Sequence, residues 1–419
     1  MAQSVKGTRD LFGKELEWFQ RIEDTARRAF HRHGYREIRT PILEEIEVFK
    51  RSVGESSDIV HKEMYDFKDK GGRHVAMRPE NTAGVVRAAI QHKFLDASDP
   101  QLLYYIGPMF RYERMQAGRY RQFWQIGAES FQVSTPESEA ESLVMLYDFL
   151  RELGLEHLSF SINSVGTPEC RPAFHEAFRA FFASREERFC GDCHRRIAEN
   201  PLRVLDCKNE SCQAALEGHP VMVDFLDPAS RDHHERLKAI LVELGLPFTE
   251  NPRLVRGLDY YTRTAFEVLS SDLGAQSALL GGGRYDGLVK QLGGPQVAAF
   301  GWSIGLDRLA MLMQQLHGDG ESRALPILVP LGPAATLKAL GLAREWWAQG
   351  AAFTLETRGA ALKKALTTAN RVGAPLALIL GDGELERGEI AVKDLAAGTQ
   401  EAWRLEEVPV RLMERAVKK

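Results

Sequence analysis

At 419 residues, with 44% hydrophobic and 27% charged positions, the chain has the makeup of a folded protein of two or three domains. Its net charge of -4 excludes a basic nucleic-acid coat, although a local positive stripe would be enough to bind nucleic acid. No run of eighteen apolar residues occurs and no export signal is visible at the start, so a cytoplasmic chain with its five cysteines reduced and no membrane span is expected.

Apolar positions at Leu16, Phe19, Ile22, Ala26 and Phe30 predict a helix over residues 14 to 33, stopped by Gly34. An extended run from Tyr35 to Leu43 follows, broken at Pro41. Met64 to Phe67 and Val75 to Met77 flank Asp69-Lys70-Gly71-Gly72, which predicts a hairpin. In Met77-Arg78-Pro79-Glu80-Asn81-Thr82, Pro79 ends the strand and places Glu80 and Thr82 at a strand-to-helix corner. Taken alone, that corner reads as a helix cap supplied by Thr or Asn.

Two antiparallel strands are expected over Leu102 to Phe110 and Phe123 to Phe131, joined by a loop holding Arg111, Arg114, Arg119 and Arg121. Four arginines against Glu113 leave that loop a charge of +3. It is either a solvated hairpin tip or a seat for polyphosphate or an RNA end, since arginine pairs with phosphate in a bidentate way. Glu129 sits where a buried strand would carry an apolar residue, and a buried charge must be paired or functional. Pro136 and Gly154 bracket a further helix.

Between about 170 and 250 the sheet pattern is interrupted by a charged, helical insertion. It holds Cys190-x2-Cys193, then thirteen residues to Cys207, then four to Cys212. Four thiols so spaced are either a structural zinc site or a set of free cysteines. Cys170 reads as a small core residue. His31, His33, His233 and His234 lie on charged helices and are expected to be solvated.

Two cassettes follow: Arg256-Gly257-Leu258-Asp259-Tyr260-Tyr261 and Gly281-Gly282-Gly283-Arg284-Tyr285-Asp286-Gly287. Each gathers a guanidinium, a phenol and close-approach backbone, a set suited to a flat polar ligand with an anionic end. Taken singly, each reads more often as a strand pair joined by a glycine turn, with its tyrosines in the core. Beyond them, Ala299 to Gly305 predicts a strand running into a helix opened by Asp307 and Arg308. An arginine in a first turn opposes the helix dipole unless it serves an anion. A glycine-rich linker at 318–323 separates this mixed, mainly antiparallel α+β domain, residues 1–320, from strand-helix alternation over 325–419. The latter predicts a three-layer α/β domain.

The arginine loop resembles motif 2 of class II aminoacyl-tRNA synthetases, Gly301 to Leu309 resembles motif 3, and Pro41 fits motif 1. The paired cassettes are similar to those of the histidyl-tRNA synthetase family, and the resemblance runs from Lys6-Gly7-Thr8-Arg9-Asp10 into the C-terminal domain. It implies histidine activation with ATP and Mg2+, transfer to the histidine tRNA, a homodimer built on motif 1 and an anticodon-binding C-terminal domain. It further implies that Glu80, Thr82 and Gln125 hold the α-ammonium of L-histidine, with Glu129, Tyr261 and Tyr285 around the imidazole. Arg111 would take the α-phosphate, Arg308 the γ-phosphate, Glu113 the adenine amino group and Phe123 the adenine face. Arg256 would face the carboxylate and α-phosphate, and Gln116, Arg119 and Arg121 the acceptor end of the tRNA. Met115 and Ala117 depart from the family's proline and lysine, which bears on acceptor-stem recognition. The alternative is a non-catalytic, histidine-sensing regulatory subunit of ATP phosphoribosyltransferase, which would lack intact cassettes and the C-terminal domain. A ligase of the same class acting on another acceptor would lose Glu129 and Tyr261.

Overall fold

The structure, a computed structural model, describes residues 2–417 except 54–58, 97, 116–117, 259, 273–276 and 319–323. The chain forms two compact units, residues 1–320 and 321–419.

The first unit is built on an eight-stranded sheet, here β1 (Arg36–Glu37), β2 (Gln101–Phe110), β3 (Gln122–Phe131), β4 (Leu158–Ser164), β5 (Phe248–Glu250), β6 (Thr262–Ser270), β7 (Ser277–Arg284) and β8 (Ala299–Gly305). Its order is β1-β2-β3-β8-β7-β6-β4-β5. All pairings are antiparallel except the two at the edges, β1 with β2 and β4 with β5. Successive side chains alternate between faces. Tyr104, Ile126, Ala128, Phe300, Trp302 and Ile304 join Phe19, Ile22, Phe30, Leu143, Leu146 and Leu309 in a core under the helices Gly13–Arg32, Pro136–Glu152 and Leu306–His317. Tyr105, Phe131, Tyr260, Tyr261 and Tyr285 pack with Val85, Val86 and Ala89 of the helix Thr82–Gln91 in a second cluster. Both faces of the central strands are therefore covered, and a polar residue there must find partners inside the protein.

The expected hairpin forms from Tyr65–Lys68 and His74–Met77, with Leu43–Glu45 as a third strand. Residues 170–226 build their own apolar cluster around Phe174, Phe178, Phe182, Leu205 and Leu216. Residues 227–250, expected with the insertion, instead return to the main body. Leu237, Leu241 and Leu246 join its core and β5 adds an edge strand. This also corrects the reading of two histidines. His233 and His234 are buried, with Nε2 of each at 2.8 Å from Glu139 and 2.9 Å from Glu250 respectively.

In the second unit the strands Thr354–Leu355, Ile327–Pro330 and Leu376–Leu380 are parallel, and Glu389–Asp394 and Gln400–Arg404 extend the sheet antiparallel. Trp346, Leu378, Ile390, Val392, Trp403 and Leu412 fill its core. Among the described residues, no helix is long and apolar enough to cross a membrane.

Candidate active site

Glu129 lies at the middle of β3, fully buried. One carboxylate oxygen accepts the hydroxyl of Thr82 at 2.6 Å, and the other accepts the hydroxyl of Tyr285. Space for that carboxylate comes from the neighbouring strand. Gly301 pairs with Glu129, and a Cβ at Gly301 would lie 2.0 Å from Glu129 Oε2. Burial drives the Glu129 carboxyl up to about 8, and the like charge of Glu80 adds to it against the two donated hydrogen bonds.

Glu80 stands at the corner where the sequence offered a Thr or Asn cap. Asn81 makes no side-chain cap bond, and Thr82 turns its hydroxyl to Glu129. The helix is capped instead by Glu80, which accepts the N–H groups of Thr82 at 2.7 Å and Ala83 at 3.1 Å. Burial raises the Glu80 carboxyl, and the helix N–H donors and Arg111 pull it back.

Two arginines from distant segments close the same space. Arg256 donates from Nη1 to Glu267 at 2.7 Å, while its Nε–H is buried without a hydrogen-bond partner. Its guanidinium lies on bare backbone: a Cβ at Gly281 would sit 2.2 Å from Nη1. Arg111 donates from Nε to the Pro79 carbonyl at 2.8 Å and lies 5.3 Å over the Phe123 ring. Oε1 of Gln125 is likewise buried and unpartnered. Glu80, Thr82, Arg111, Gln125, Glu129, Arg256, Tyr261 and Tyr285 all line one cavity of about 300 Å³. Such a space, with an acidic floor, unpartnered polar groups and fixed positive charge at two points, suits a small zwitterion joined to an anion.

The remaining candidates stand around it. Glu113 lies 3.7 Å from Arg111 and 3.5 Å from the exposed Arg119. Arg121 lies over Tyr112 at 3.7 Å, and its backbone N–H donates to the Gly7 carbonyl. Arg308 is exposed in the first turn of its helix, against the arginine loop: a Cβ built on Gly118 would be 3.7 Å from the Arg308 Cα. Gln116 and Asp259 lie outside the described residues.

The second cassette is divided. Tyr285 reaches Glu129 in the cavity, but Arg284 is fully buried against Glu139, the Val133 carbonyl at 2.8 Å and Asp286 at 3.0 Å. Its guanidinium belongs to the packing under the helix Pro136–Glu152, so the sequence expectation that both cassette arginines face a ligand is corrected. Two acids have partners that the sequence did not reveal. Glu267, the partner of Arg256, is an acid in the apolar strand β6, the same signal that marked Glu129. Asp307 accepts the Trp124 N–H at 2.8 Å and Arg9 at 2.7 Å, tying the N-terminal segment to the β8–helix corner.

A covered, mainly antiparallel sheet with an arginine-bearing β2–β3 loop and the β8–helix corner beside it is the catalytic fold of class II aminoacyl-tRNA synthetases. The family model described as Histidyl-tRNA synthetase matches residues 7–170 and 198–309, and that described as Anticodon binding domain matches 327–415. A histidine–tRNA ligase of Maridesulfovibrio salexigens is 46% identical over 401 residues, covering 95% of this chain and 97% of its own length. That of Aquifex aeolicus is 45% identical over 406 residues, covering 97% and 99%. The solved structure of apo S. aureus histidyl-tRNA synthetase superposes with a TM-score of 0.82 at 35% identity, covering 98% of this chain and all of that one. The chain belongs to the histidyl-tRNA synthetase family.

Proposed function

We propose that this protein is a histidine–tRNA ligase, joining L-histidine to ATP as histidyl-adenylate with release of pyrophosphate and then passing the histidyl group to the 3′ end of its tRNA. The observation that carries the reading is Glu129. It is a buried carboxylate fixed by Thr82 and Tyr285, with lone pairs left to accept an imidazole N–H, in a cavity that Arg256 and Arg111 also line.

In this reading Glu129, Tyr285 and Tyr261 grip the ring, and the α-ammonium takes the free Oε1 of Gln125 together with Glu80 and Thr82. The histidine carboxylate then meets Arg256, whose unpartnered Nε–H is available to it. The carboxylate attacks the α-phosphorus in line, and Arg111 and Arg256 offset the charge that builds on the phosphoryl oxygens. A carboxylate is already a nucleophile, so no protein base is required. Phe123 offers a face to adenine, Glu113 accepts from its amino group, and Arg308 takes the γ-phosphate. Magnesium is expected with the triphosphate. The carboxylates nearby each face donors already, Glu80 the helix N–H groups, Glu129 two hydroxyls, Glu267 Arg256 and Glu113 Arg111 with Arg119, so they build no all-protein cage for the ion and no step is assigned to it. Gln116, Arg119 and Arg121 are assigned to the acceptor end. The 327–415 unit is assigned to the anticodon, and the motif 1 segment, where Ile42 and Leu43 are exposed, to a homodimer contact.

Histidine-dependent exchange of pyrophosphate into ATP tests the reading directly. Exchange with histidine and with none of the other amino acids is expected, and its absence in folded protein would overturn the proposal. The regulatory-subunit alternative is disfavoured by the arginines standing around the cavity and by the anticodon-domain match.

A further inference from the structure

The four clustered cysteines are not used by the chemistry above. Cys190 precedes the helix Gly191–Glu199, Cys193 lies in its first turn, Cys207 ends the 3₁₀ turn Pro201–Asp206, and Cys212 lies in the helix Glu210–Ala215. All four sulfurs fall within 4.8 Å of one another, and none is in a disulfide. Four zinc–sulfur bonds of about 2.3 Å at tetrahedral angles place neighbouring sulfurs roughly 3.8 Å apart. Cys190 and Cys207 are 3.8 Å apart. A four-iron cluster would hold the sulfurs farther apart, because each thiolate then binds a different iron. The Cys212 sulfur also accepts the backbone N–H of Cys190 at 3.2 Å, the outer contact that steadies a thiolate ligand.

The elements carrying these cysteines are weak on their own. The two helices span nine and six residues, below the length at which a helix holds without tertiary support. The apolar cluster of residues 170–226 is small, and domains of this size are commonly closed by a metal.

The cluster is also joined to the active site. Gln213 donates its amide to the carbonyl of Cys207 and accepts from Arg253 at 2.9 Å, three residues before Arg256. Arg203 donates to the Gly257 carbonyl at 3.1 Å, immediately after Arg256. Val255 packs against both the insertion cluster and the cluster beside the cavity.

We propose that Cys190, Cys193, Cys207 and Cys212 bind one Zn2+ as four thiolates, and that the insertion closed by this ion clamps the segment delivering Arg256. The ion is structural and lies outside the reacting centre. The zinc assignment stands apart from the functional reading, whereas the clamp rests on it.

The test uses the full-length wild-type protein, grown with zinc and purified without chelator. Elemental analysis is expected to give one zinc per chain, falling below about 0.1 in the Cys207→Ser/Cys212→Ser double variant. Cobalt exchanged into wild type is expected to show thiolate-to-cobalt charge transfer and intense tetrahedral visible bands. Wild type lacking zinc and giving no such bands, or holding iron instead, overturns the site even if histidine-dependent exchange is normal. For the clamp, Arg253→Ala is expected to keep its zinc and melting temperature while raising the KM for histidine about tenfold and lowering kcat as well, because Arg256 meets both the histidine carboxylate and the charge that builds in the reaction. Cobalt protein is expected to match zinc protein within twofold. An unchanged KM in zinc-loaded Arg253→Ala removes the clamp and leaves the site.

Discussion

The hydroxyl of Thr82 donates to Glu129 Oε1 at 2.6 Å, so the first turn of a helix and the centre of the sheet share one carboxylate. In the proposed reading, substrate selection and packing meet at that atom, and its protonation should be visible in both.

Burial holds the folded-state Glu129 carboxyl near 8, above its ordinary value of 4.5. The folded protein then binds the proton more tightly than the unfolded chain. This contribution to stability is complete below about pH 4.5 and is lost as pH rises to about 8, with a slope of at most about 1.4 kcal/mol per pH unit. Denaturant titrations between pH 5 and 8 should show the decline, and Glu129→Gln should flatten it. In the proposed reading histidine meets the ionised form of Glu129, so binding at pH 7 should release a proton. Calorimetry in two buffers of different ionisation enthalpy reads that release, and zero release would separate Glu129 from the imidazole.

Arg256→Ala should lower histidine-dependent pyrophosphate exchange by about 10²–10³-fold, the cost of one fixed donor at a charge-building centre. Arg256→Lys should recover little, because an ammonium does not reproduce the planar fork. Circular dichroism and melting should stay near wild type. Near-normal exchange in the alanine variant would take Arg256 out of the chemistry.

Gly301→Ala puts a methyl group 2.0 Å from Glu129 Oε2 and must displace the carboxylate or the strand. Overpacking of this kind costs about 1–3 kcal/mol. We expect a lower melting temperature together with a KM for histidine raised at least tenfold. A silent substitution would mean that Glu129 is not held where the strand pairing puts it.

Glu139→Gln removes the charge that Arg284 and His233 share in the buried interior, leaving Asp286 as the one remaining carboxylate, among the described residues, against the Arg284 guanidinium. Breaking such a pair costs about 3–5 kcal/mol. Urea midpoints should fall accordingly, while the KM for histidine at low temperature stays put. A change in KM without loss of stability would place this network in the active site after all.

A chain ending at residue 320 comprises one of the two compact units. It should retain pyrophosphate exchange and lose tRNA charging at least tenfold. Equal charging by the short and full chains would remove the anticodon role from the second unit.

Much of this was legible in the sequence because the clues were misfits. Glu129 in an apolar strand and the arginine-dense loop each break a local pattern, and such breaks mark sites where function overrides propensity. Arg256 and Arg284, by contrast, look alike in their cassettes. Only the three-dimensional placement of Glu139 separates the cavity-lining guanidinium of Arg256 from the packed one of Arg284. His233 and His234 read as solvated because their partners, Glu139 and Glu250, lie far away in sequence or on another element. Past Gly381 the strands Glu389–Asp394 and Gln400–Arg404 carry apolar residues mainly at Ile390, Val392 and Trp403, too few for periodicity to reveal them. The helix cap at Glu80 was missed because an acid reaching forward over its own corner replaces the usual hydroxyl.

The Arg256 guanidinium and the Glu129 carboxylate both rest on strand positions that carry only hydrogen, Gly281 and Gly301. Redesign of this enzyme toward bulkier amino acids therefore cannot proceed by trimming the floor, since nothing there is left to trim. New selectivity would have to come from the walls, and a library spent on those two glycines would return mostly inactive clones.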